Sequence, residues 1–164
     1  MLAVSGLDLR YGEAQPVLED VNLSVGRGEL VSIVGPSGCG KSTLLRIISR
    51  LQAASRGSVS VAVGPREVGI LFQDDALLPW RTARENVALG LRAHGASRSD
   101  ARACADQWLN SVGLAGLGTR YPNELSGGQR KRVSIAQVLA LHPKLLLMDE
   151  PFASLDAIVR RYIT

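Results

Sequence analysis

The chain has 164 residues, of which 46% are hydrophobic and only 4% aromatic, with a formal net charge of +4. That length is one domain's worth, and its core must come from Leu, Val, Ile and Ala rather than from rings. The mild basic excess holds no Lys/Arg block long enough for a nucleic-acid arm, the two cysteines form no disulfide framework, and no run reaches the ~18 apolar residues that span a bilayer. The opening residues 1–6 lack the basic start and apolar centre of a signal peptide. The expectation is a cytoplasmic chain with free thiols at Cys39 and Cys104, any membrane role coming through a partner.

In chain order, residues 2–11 alternate through Leu2, Val4, Leu7 and Leu9, which predicts an edge strand of a half-exposed antiparallel sheet. Residues 17–25 alternate again. A turn at 26–28 leads to a buried strand at 29–34, from the apolar Leu30, Val31, Ile33 and Val34. A helix follows with Leu44, Ile47, Ile48 and Leu51 on one face. Residues 57–63 and 67–72 are two more predicted strands, the second ending at Gln73. The middle is helical at 82–94 and at 97–112, where Ser97 caps and Asp100 is its partner. A glycine-rich connector at 113–122 precedes a helix at 127–141. The apolar run Leu145–Met148 reads as a parallel strand buried on both faces. Residues 155–163 begin one more helix.

Between the strand at 29–34 and its helix stand Gly35, Pro36, Ser37, Gly38, Cys39, Gly40, Lys41, Ser42 and Thr43, with the spacing GxxxxGK[ST] of a phosphate-binding loop. Glycines let the backbone wrap a triphosphate, and successive N–H groups form an anion nest at a helix N-terminus. Lys41 reaches outer phosphates and the Ser42 hydroxyl suits Mg²⁺. Asp149 and Glu150 close the run Leu145–Met148. Acids at the end of a buried strand are costly without work or partners, and that end is where open α/β sheets hold ligands. Asp149 suits the metal, and Glu150 suits a general base toward water. Leu125, Ser126, Gly127, Gly128 and Gln129 make a second bare helix start, with Ser126 as cap. One phosphate rarely needs two such sites from one chain, so a symmetric dimer follows, each copy closing on the other's nucleotide.

Taken together, these motifs resemble the ATP-binding subunits of ABC transporters, over essentially the whole chain. The resemblance implies an α/β P-loop NTPase core, a parallel sheet with helices plus an N-terminal antiparallel β subdomain, with a helical insert. The core would occupy 1–73 and 142–164, and the insert, with the signature motif, 74–141. Residues 35–43 look like Walker A, 125–129 the signature, 145–150 Walker B with Glu150 catalytic. Ser154, Leu155 and Asp156 resemble the D-loop. Gln73, at the Q-loop position, would touch Mg²⁺ and the attacking water alongside Ser42 and Asp149. Tyr11 alone reads as strand-end packing; in this company it stands where an aromatic stacks on adenine. Arg130, Lys131 and Arg132 would be an exposed basic edge of the dimer interface.

Wording between the motifs, such as Leu71-Phe72-Gln73-Asp74-Asp75 and Leu77-Leu78-Pro79-Trp80, is similar to the importer branch for nitrate, sulfonate and taurine. The implied protein is an ATPase on the inner face of the cell membrane, using ATP and Mg²⁺. It would pair with a second copy and with a permease through the region from Gln73 to Trp80. A periplasmic or lipoprotein solute-binding protein would act indirectly, and no nucleic acid is expected. Two departures bear on this. Gln137 replaces a frequent Arg, and the family's switch histidine is missing, since His94 and His142 both precede Walker B. The expectation is therefore a C-terminally truncated subunit with an uncovered sheet edge. An ATP-binding but hydrolysis-deficient fragment, or a soluble ABC ATPase outside transport, stays open.

Overall fold

The computed structural model describes residues 2–12 and 15–150. The helix expected at 155–163 and the D-loop residues Ser154, Leu155 and Asp156 lie outside the described residues. Contacts divide the chain into two compact units, Met1–Val68 and Gly69–Thr164.

In the first unit, β1 (Leu2–Leu9), β2 (Leu18–Val25) and β3 (Arg56–Val61) form a sheet of order β2-β1-β3. Both ladders are antiparallel, with Val4 opposite Leu23 on one side and Val59 on the other. β1 is thus the central strand, not the edge strand its alternation suggested. Alternation reports one buried face and says nothing of how many neighbours a strand has. The apolar phase of β1 also slips: Leu2 and Val4 are buried, and so are Leu7 and Leu9. A register shift between Val4 and Leu7 absorbs the change. Gly6, at φ 55, supplies the left-handed residue there, so both halves keep one face to the core. Gly57 is obligatory for a different reason: a Cβ on it would collide with the Gly6 carbonyl.

The strand expected at 29–34 does not form. No ladder partner takes it among the described residues, and Leu30 and Val34 are 79% and 91% exposed. An apolar run becomes a buried strand only where neighbours supply hydrogen bonds on its flanks. Helix α1 (Lys41–Ile48) follows, burying Leu44, Ile47 and Ile48. Leu51, expected on that face, lies beyond the helix and is exposed.

The second unit is organised by its helices. α2 (Ala83–Ala93), α3 (Arg98–Ser111) and α4 (Gly127–Leu139) bury a shared core that includes Val87, Ala101, Ala105, Leu109, Val133 and Ala136. Alanines at these contacts let the backbones approach closely. Thr82 caps α2 in a reciprocal box with Glu85. Ser97 caps α3 by accepting from the Asp100 N–H, while its hydroxyl donates to the Asp100 carboxylate. Strands β4 (Val68–Leu71) and β5 (Leu145–Met148) form a two-stranded sheet. The Asp149 N–H donates to the Leu71 carbonyl across 2.9 Å. Both strands therefore end at the same edge and run parallel. α4 packs on this ladder through Ile135, Val138 and Leu139. Gly69 permits that approach, since a Cβ there would lie 2.8 Å from Val138 Cγ1. β5 is covered less than its apolar run suggested: Leu147 is buried, but Leu146 is 36% exposed.

Candidate functional site

The phosphate loop precedes α1 as its spacing predicts. Gly38 and Gly40 hold φ of 82 and 94, in the left-handed region where a side chain is strained. Gly40 has a second constraint, because a Cβ would stand 2.9 Å from the Val17 carbonyl oxygen. Gly40 caps α1 without a side-chain hydrogen bond. The N–H groups of the first turn, which no carbonyl four residues earlier can take, are thus left to other acceptors. The Lys41 ammonium folds back to donate to the carbonyls of Gly35 and Pro36, each at 2.8 Å. It lies 3.7 Å from Cys39 Sγ. A cation resting on loop carbonyls, beside unfilled amides, suits an incoming polyphosphate. Ser42 is half-buried in the same turn.

The other acidic and polar groups gather at the C-terminal edge of β4 and β5. Asp149 is buried. Glu150 is exposed, with φ 46, an uncommon left-handed value for a residue with a side chain. Gln73 Nε2 donates to Glu150 Oε2 at 3.0 Å. The structure thus brings together Gln73, Asp149 and Glu150. Each candidate metal ligand named from the sequence, the Ser42 hydroxyl, the Gln73 amide and the Asp149 carboxylate, offers an oxygen. That chemistry fits Mg²⁺, which takes few protein ligands and fills its shell with phosphate and water.

The signature segment starts α4. Ser126 Oγ accepts from the Gln129 N–H, and Gln129 Oε1 accepts from the Ser126 N–H at 2.8 Å. This box satisfies two amides and leaves those of Gly127 and Gly128, at the positive end of the helix, without an intrahelical partner. Leu125 is buried as their anchor. Tyr11 is 57% exposed, and its hydroxyl accepts from Gln52 Nε2 at 2.7 Å. Trp80 is 70% exposed.

The basic run after the signature is not an exposed edge. Lys131 is 1% exposed, and its Nζ donates to the carbonyls of Phe72 and Gln73 at 2.7 and 3.0 Å. Arg130 pairs with Asp75 at 3.2 Å and also donates to the Leu125 carbonyl. Arg132 reaches the carbonyls of Gly128 and Val112. The helical phase carried the signal for Lys131, which shares a stripe with Ile135 and Val138. Asn86 was also missed. It is fully buried and clamps residues 78–82: Oδ1 accepts from the Leu78 N–H at 2.8 Å, and Nδ2 donates to the carbonyls of Leu78, Arg81 and Thr82.

Residues 18–153 match the family described as ABC transporter. The chain belongs to the ABC transporter family. It is 48% identical to the taurine import ATP-binding protein TauB of Escherichia coli O157:H7, over 98% of this chain and 64% of that protein. TauB of Shigella sonnei matches to the same extent. The chain thus spans 64% of the length of these curated relatives. Among solved structures, the ATP-binding cassette MJ0796 in a dimeric post-hydrolysis state bound to ADP and Pi aligns with a TM-score of 0.90 at 36% identity. That alignment covers 99% of this chain and 79% of the cassette. The fold expected from the motifs, α/β with an antiparallel β subdomain and a helical insert, is that of an ABC cassette. No helix among the described residues of this ABC transporter chain is long and apolar enough to cross a membrane.

Proposed function

We propose that this chain is the ATP-binding and hydrolysing part of an ABC importer's ATPase subunit, energising uptake of a small anionic solute of the taurine, sulfonate or nitrate kind through a separate permease. The observation that carries the reading is that each unit, by itself, holds one half of the chemistry. Uncapped amides and Lys41 stand at the start of α1, and an acid pair stands with Gln73 at the end of β5. Likeness to taurine import ATP-binding proteins supports the importer branch.

Residues 35–43 would cradle the phosphates and Tyr11 would lie under the base. Ser42, Gln73 and Asp149 would hold Mg²⁺, which when bound neutralises phosphate charge. Glu150 takes a proton from the water that attacks the terminal phosphorus, releasing ADP and phosphate. The Gly127 and Gly128 amides would serve a second copy's nucleotide, and the D-loop residues Ser154, Leu155 and Asp156 would support that interface. The core at 1–73 and 142–164 would carry nucleotide, and the insert at 74–141 would carry the signature. The region from Gln73 to Trp80 would meet the permease, on the inner face of the membrane.

Phosphate release from the chain, compared with Lys41→Ala and Glu150→Gln, tests this reading. Turnover lost in both variants supports it. Turnover unchanged in Lys41→Ala removes the phosphate-loop assignment. Nucleotide binding with no release reduces the chain to a binding module.

A further inference from the structure

We infer that Lys131 is a positioning residue, tying the signature helix to the backbone at residues 72–73 and so setting where Gln73 stands against Glu150. The inference rests on the ATPase reading above.

Burying an ammonium costs several kcal/mol after relaxation. A methionine of similar length would fill the same space at no such cost, so packing alone does not call for lysine. What the lysine supplies is two charge-assisted bonds, at 2.7 and 3.0 Å, to the Phe72 and Gln73 carbonyls. These carbonyls lie just past the end of β4. The ladder's last bond is the one from Asp149 N–H to the Leu71 carbonyl. Lys131 takes over where the ladder stops. Gln73 then projects its side-chain amide to Glu150 at 3.0 Å.

The same helix begins with the bare amides of Gly127 and Gly128. Lys131 sits about 6 Å further along its axis, just over one turn. α4 is packed on both sides, against α2 and α3 and against β4 and β5. A displacement at its N-terminus is therefore carried as a rigid body to the lysine, and from there to Gln73. A route from the signature amides to the general base needs no element beyond α4 and one side chain.

The test uses the full chain with Lys131→Met and Lys131→Gln, the latter keeping one amide donor. In Lys131→Met, kcat for phosphate release falls by about tenfold or more with KM for ATP little changed. Lys131→Gln recovers part of it. In a Gln73→Ala background, Lys131→Met costs nothing further, because both act through one group. Losses that multiply in that background, or a KM that rises in step, overturn the inference. Amide exchange without nucleotide gives a second arm, independent of turnover. Exchange across residues 72–76 rises by about tenfold in Lys131→Met while α2 and α3 keep their protection. Unchanged exchange there, or a uniform rise over the whole unit, overturns the tie. If the unsubstituted chain releases no phosphate, the ATPase reading fails and the exchange arm alone decides the tie. If Lys131→Met does not fold, Lys131→Gln carries both arms.

Discussion

Gln73 and Glu150, 77 positions apart in sequence, meet through one hydrogen bond of 3.0 Å from amide to carboxylate. The contact joins the segment after β4 to the residue after β5. While it stands, the proposed base is already occupied by a donor. Glu150 also sits in a backbone conformation uncommon for a residue with a Cβ. Gln73→Ala should free the carboxylate and, on the proposed reading, lose a ligand for metal and water. The expected outcome is a fall in kcat of about tenfold or more, read as steady-state phosphate release. A variant as fast as the unsubstituted chain would remove Gln73 from the mechanism.

Lys41→Ala removes the only cation that the described phosphate loop itself supplies, and it also releases the Gly35 and Pro36 carbonyls. Affinity for ATP should drop by about a hundredfold or more, since a charge-assisted contact to phosphate is worth about 1.5–3 kcal/mol and the loop loses order as well. Titration calorimetry with ATP checks this. Equal affinity in the two proteins would exclude the loop as the binding site.

Glu150→Gln keeps the shape of the side chain and removes its basicity. ATP should then persist, and two copies should stay closed around it, visible as an ATP-dependent dimer by light scattering. Monomers alone at saturating ATP would count against a shared nucleotide site.

Asn86 satisfies four backbone groups of the loop at 78–82 from a fully buried position. Asn86→Ala leaves the Leu78 N–H and the Arg81 carbonyl unpaired next to a packed core, while the Leu78 and Thr82 carbonyls keep the backbone N–H groups of Arg81 and of residue 86. A destabilisation of about 3 kcal/mol is expected, read as a lower urea midpoint with an unchanged slope. Trp80 fluorescence should report the loosened loop before the helices melt.

Glu85 has its pKa lowered from the ordinary 4.5, first by the Thr82 backbone in the capping box and then by the Thr82 hydroxyl and the charges of Arg81 and Arg102. Because the folded-state value lies below the unfolded one, the charged form stabilises the fold above pH 4.5. That contribution is lost as pH falls through the folded-state value. Glu85→Gln keeps an acceptor at the cap but no titration. Melting temperatures followed from neutral pH downward should fall less steeply below pH 4.5 in the variant. Parallel acid limbs in the two proteins would contradict the assignment.

Local rules carried much of what the sequence determined. A GxxxxGKS spacing needs glycines at positive φ before a helix, and Gly38 and Gly40 comply. Ser97 and Ser126 announce their helices because a cap involves only the next few residues. Packing decided the rest. Whether β1 is central or at an edge depends on β3, which arrives some fifty residues later. Among the described residues the apolar run at 29–34 remains without a ladder, because hydrogen-bond partners are a property of the neighbourhood, not of the run. Lys131, inside a basic triplet, reads as solvated by composition, yet the fold buries it against two carbonyls from β4's end. A side chain's local preference is worth about 1 kcal/mol or less, while burying one apolar side chain or making one charge-assisted hydrogen bond is worth about 1.5–3 kcal/mol, so the sum of tertiary contacts overrules composition where the two disagree.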